Sequence, residues 1–141
     1  MRPETWPQML AAYLAQARAT GFVWGRHDCV LFGANWVREL TGTDPLKGYR
    51  GRWSSARGAA RVIAGLGAPL GDLVADTLTA AGFEEVPPAR AGRGDIVLGD
   101  MTRGLTVGIV GDHRACFLTE DPRVPFAFLE PRRCARAWRI V

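Results

Sequence analysis

The chain has 141 residues, 48% of them hydrophobic and 23% charged, which fits one globular domain with a proper core and excludes disorder. Its apolar runs are too short to cross a bilayer, and its amphipathic N-terminal stretch lacks a signal peptide's cleavage site. The net charge of +4 is carried by arginine, Lys47 being the only lysine; it suits an anionic surface or a subunit contact, and no RNP-type, helix-turn-helix or zinc-finger pattern points to nucleic acid.

In chain order, Thr5 is placed to cap a first helix with Pro7 in its opening turn, where a missing N–H costs nothing. Met9, Leu10, Tyr13, Leu14 and Ala17 form its apolar stripe, and Gly21 stops it. Residues 22 to 36 then read Phe-Val-Trp-Gly-Arg-His-Asp-Cys-Val-Leu-Phe-Gly-Ala-Asn-Trp. Asp28 is a good N-cap type, and Val30, Leu31, Ala34, Val37 and Leu40 continue at helical spacing. Cys29 therefore falls in a first helical turn, where free N–H groups and the helix dipole favour a thiolate. The alternative for Cys29 is a small buried side chain on a core helix.

Thr43-Asp44-Pro45 is a turn, and Lys47 to Trp53 is too rich in glycine for a regular element. Its Arg52 and Trp53 are candidates to line a groove together with Trp24. The alternative is that the aromatics pack back over the helices. Ser54 or Ser55 caps a helix over Ala56 to Ala64, stopped by Gly65 and Gly67. Another runs from Pro69 or Leu70 to Ala81, and Gly82 ends it. From residue 83 the period changes. Phe83 to Val86 reads as a short strand broken by Pro87-Pro88. Ile96 to Leu98, Leu105 to Val110, Arg114 to Thr119, Val124 to Leu129 and Ala135 to Val141 follow as strands, with a hairpin turn at Gly111-Asp112. Helices over 1–82 followed by strands over 83–141 predict a single α+β domain, its N-terminal helices packed on a C-terminal antiparallel sheet.

The three cysteines, Cys29, Cys116 and Cys134, are an odd number, so a complete intrachain disulfide framework is excluded. With His27 and His113 they match no usual zinc spacing, and neither a metal nor a cofactor is expected.

Several motifs taken together carry a resemblance. Trp24-Gly25-x-x-Asp28-Cys29 opening a helix, Gly94-Asp95-Ile96-Val97 opening a strand, and Val107-Gly108-Ile109 in the next strand resemble the NlpC-type cell-wall peptidases of the papain-like superfamily. The chain is similar over nearly its full length to small tail proteins of phages, prophages and gene transfer agents. The further motifs are Thr41-Gly42-x-Asp44-Pro45, Arg50 to Trp53, and Ala137-Trp138-Arg139. The resemblance implies a papain-like fold and a place at a tail tip. The partners would then be hub and tail-tip subunits and peptidoglycan, and the protein would be made in a bacterial cytoplasm and assembled into a particle. It makes Cys29 the nucleophile position, with Asp28 beside it.

One position departs from the peptidase pattern. Where the peptidases carry a catalytic histidine, before Val107-Gly108-Ile109, this chain has Thr106. Threonine accepts no proton near neutral pH, so it does not replace imidazole as the base. Only His27 and His113 remain as candidate bases. His113 falls at a turn, where a solvated role is the alternative, and His27 lies two residues before Cys29. The expected function is a tail component whose hydrolase site is degenerate. The alternatives are an active cysteine peptidase or amidase cutting peptidoglycan crosslinks, and a partner-binding module of the same fold.

Overall fold

A computed structural model describes residues 2–67, 69–101 and 104–141. Four helices come first, α1 (Trp6–Thr20), α2 (Leu31–Thr41), α3 (Ala56–Gly65) and α4 (Leu70–Ala80). Six strands follow, β1 (Glu84–Val86), β2 (Ile96–Met101), β3 (Gly104–Val110), β4 (Ala115–Leu118), β5 (Phe126–Leu129) and β6 (Arg136–Arg139). They form one antiparallel sheet in the order β1-β6-β2-β3-β4-β5. The α+β class agrees with the sequence pattern; α4 ends at Ala80 and β1 begins at Glu84. Two short 3-10 turns, Pro88–Arg90 and Pro131–Arg133, lie in stretches expected to be loop and strand connection. Each opens on proline, whose fixed φ and missing N–H suit the first position of such a turn. Among the described residues, no single helix is long and apolar enough to cross a membrane.

The helix caps divide. Ser55 accepts from the Gly58 N–H and caps α3 as expected. Thr5 makes no side-chain cap bond; the opening of α1 is held by backbone bonds instead, Trp6 N–H to the Pro3 carbonyl and Met9 N–H to the Thr5 carbonyl. Asp28 does cap α2. Its Oδ1 accepts from the N–H groups of Val30 (3.0 Å) and Leu31 (2.9 Å), and its carbonyl accepts from Phe32 N–H at 3.0 Å. Hydrogen bonding of α2 thus begins one turn before its regular span, and Cys29 sits in that turn.

The sheet buries both faces. One carries Ile96, Leu98, Val107, Ile109 and Trp138 against Tyr13, Phe32, Trp36 and Val37 of the helices. The other carries Val97, Val110, Phe117 and Ala137, with Val86 of β1 and Leu129 of β5 in the same cluster. Burial on both faces is why Ile96-Val97-Leu98 is continuously apolar. Gly94-Asp95 forms a structural tie. Gly94 takes φ +85°, its carbonyl accepts from the Trp36 indole at 2.9 Å, and the Asp95 carboxylate accepts from Gly92 and Ile140 N–H groups. Burial raises the Asp95 pKa, with those two N–H groups opposing it. This motif joins the start of β2 to α2 and to the end of β6.

Candidate functional site

The site is assembled where the start of α2 meets β3. Gly33 lets the helix approach so closely that an added Cβ would lie 2.6 Å from Val107 Cγ1. At the same contact the Val107 N–H donates to the Cys29 carbonyl at 3.3 Å. This docking opens a cleft of about 510 Å³ lined by Cys29, Thr106, Trp24, Phe117, Glu120 and Ala56, among others. Trp24 forms one wall, its ring edge-on to Phe22 at 4.8 Å and its indole N–H donating to Glu120 at 3.1 Å. Cys29 is half-buried at the helix start, so its thiol and Thr106 share one cleft. That volume is typical of a site for a small molecule or a peptide segment.

Neither histidine lines this cleft. His27 is buried and turned to the other side of the loop, edge-on to Phe32 at 5.7 Å. It floors a separate surface cleft with Tyr13 and Ala17. Burial lowers its pKa, the interaction with the Ala17 carbonyl and the nearby Asp28 pulling the other way. His113 is exposed in the turn between β3 and β4. Thr106 and Val110 alone are four strand residues apart, roughly 13 Å, and His113 lies beyond Val110.

A family model described as a domain of unknown function (DUF6950) matches residues 1–140. The chain belongs to that family. No curated protein and no solved structure matches it.

In this DUF6950 domain, Asp28 is a hub. Besides capping α2, its Oδ2 accepts from the Gly25 N–H at 2.9 Å and from the Trp53 indole at 2.7 Å. It is fully buried, and both carboxylate oxygens are occupied by donors that set the shape of the loop before Cys29. Trp53 is half-buried and lines a separate apolar pocket against α3 and α4, whereas Arg52 is exposed, 5.4 Å over the Tyr49 ring. Of the three candidate groove residues, only Trp24 lines the Cys29 cleft.

Two participants escape a reading of the sequence. Glu120 faces Trp24 across 96 residues, and no local signal announces it. Arg50 grips Asp44 through two bonds (2.6 and 3.0 Å) and Asn35 through a third (2.7 Å). Its guanidinium holds the Asp44 carboxyl below the usual carboxylate range. A signal for this second tie was present in the pairing of Asp44-Pro45 with an arginine-rich loop. Among the described residues, no group of three or more His, Cys, Asp or Glu side chains gathers as metal ligands do. The three cysteines form no disulfide, and burial pushes the Cys134 thiol up to about 11 and raises that of Cys116.

His27 gives a direct check on these placements. A depressed folded pKa means that the unfolded imidazole, near 6.5, binds a proton more readily than the folded one. Stability from this group is therefore complete above that value and is lost as pH falls through the folded pKa. Urea denaturation at pH 7.5 and pH 5 is expected to show a loss that His27→Gln reduces. An identical pH dependence in the variant rules out the buried neutral imidazole.

Proposed function

We propose that this domain is a tail or tail-tip component of a phage or gene-transfer-agent particle, with an NlpC-like fold whose cleft binds but does not cut. The observation that carries the reading is Thr106 in one cleft with Cys29, with His27 and His113 both outside it. The start of a helix favours the thiolate form of a cysteine. Amide hydrolysis also needs a base for the thiol and a proton for the leaving amine, and threonine supplies neither. The antiparallel sheet behind four helices and the thiol in the first turn of α2 are consistent with a papain-like ancestor. Neighbouring tail subunits, or a peptide of the cell wall, are the ligands this reading assigns to the cleft.

The second reading is an active peptidase or amidase on peptidoglycan crosslinks. One observation favours it, the half-buried Cys29 opening onto a cleft of substrate size. The two separate on purified cell walls. The native protein and Cys29→Ala are expected to leave turbidity equally unchanged, while mass spectrometry finds the chain in purified particles. Clearing by the native protein that Cys29→Ala abolishes would establish the peptidase instead. Absence of the chain from particles would end the tail assignment and leave a partner-binding module of the same fold.

A further inference from the structure

Residues 52–67 are attached to the rest of the domain at few points. Trp53 is fixed by its bond to Asp28, and its carbonyl lies so close to Gly25 that an added Cβ there would stand 2.2 Å away. Beyond Trp53, α3 fully buries only Ala59. Val62 and Ile63 of α3 and Leu66 just after it line, with Trp53 and with Leu70 and Leu73 of α4, a partly open apolar pocket of about 60 Å³. These apolar side chains stay partly exposed to solvent, so the contact buries less than a packed one. Segments with few buried apolar contacts open at a lower free energy than the whole domain. Gly51 precedes the segment and Gly67 ends it, with φ of +80° and +72°, a region open to glycine. Ala56, the first residue of α3, is part of the wall of the Cys29 cleft.

We propose that residues 52–67 form a strap over the Cys29 cleft, latched by the Trp53–Asp28 hydrogen bond and opening about Gly51 and Gly67. Opening draws Ala56 away from the cleft and admits a ligand to Cys29; closing restores the wall. The strap deepens the reading of the cleft as a binding site and rests on it. Because Asp28 also caps α2, the latch and the thiol share one anchor, and release of Trp53 leaves the helix start intact.

The test is alkylation of Cys29 by iodoacetamide at fixed pH, followed residue by residue with mass spectrometry. Trp53→Phe keeps an aromatic ring and removes the indole N–H. It is expected to speed Cys29 alkylation about tenfold, the value of one hydrogen bond to a carboxylate. Cys116 and Cys134 should stay protected. Val62→Leu adds a methylene to the apolar pocket between α3 and α4 and is expected to slow the reaction. In the native protein, α3 amides should exchange hydrogen well before those of α2. An unchanged Cys29 rate in Trp53→Phe overturns the strap, as does labelling of all three cysteines in parallel or α3 amides protected like those of α2. Wall clearing by the native protein would instead overturn the binding reading, since alkylation reports access to the thiol whatever the cleft does.

Discussion

Asp28→Ala is expected to destabilise the domain by about 4 kcal/mol, combining the loss of an N-cap with buried N–H groups left without acceptors. The side chain accepts from Gly25, Val30, Leu31 and Trp53, and it is fully buried, so water does not replace it. Two of these donors open α2, one closes the Trp24-Gly25 turn, and the fourth anchors the strap. The loss should appear as a fall in melting temperature of about 12 °C for a domain of this size. Asp28→Asn keeps one carbonyl oxygen but turns an NH₂ toward two of the four donors, so it should recover only a minority of the loss. A variant within 1 kcal/mol of the native protein, as an order-of-magnitude bound on an ordinary surface change, would refute the hub. The same experiment bears on role. Asp28 sits next to Cys29 in sequence as a catalytic partner would, yet the structure commits its oxygens to shaping the site.

How legible such features are depends on how far the chain must travel to make them. The Asp28 cap is readable because an Asx residue immediately before an apolar helical stripe satisfies N–H groups within three positions. The Trp53 bond to the same carboxylate spans 25 residues, and only the folded loop determines it. Thr5 shows the reverse failure. The cap signal was present, but backbone bonds from Trp6 and Met9 already hold the first turn. His27 and Cys29 are two residues apart and still face different clefts, because one side chain turns toward α1 and the other toward β3. Thr106 was legible as a departure from the peptidase pattern, and the docking of α2 on β3 placed it in the Cys29 cleft. Short strands with apolar residues on both faces announce double burial but not what covers the second face.

The largest packing effect is expected at Gly108, the centre of Val107-Gly108-Ile109. Gly108→Ala should cost about 3 kcal/mol, at the upper end of ordinary overpacking. An added Cβ would lie 2.6 Å from Phe117 Cε1 and 2.8 Å from the Cys116 carbonyl oxygen. Phe117 has little room to yield, because the same ring stands 2.6 Å from where a Cβ at Gly99 would be. The two glycines on neighbouring strands thus make one slot for one ring, beneath the second core cluster. The obstacles differ in kind. Around Gly99 they are side-chain atoms, so Phe117→Leu should rescue most of the loss in Gly99→Ala. At Gly108 the Cys116 carbonyl is backbone within a strand pair, so the same second change should rescue only part. A double-mutant cycle at each position measures this contrast. Equal rescue at both would mean that the ring alone dictates glycine at 108. Unequal rescue would mean that the close approach of β4 to β3 dictates it, and that this glycine belongs to the architecture of the fold whatever chemistry Cys29 performs.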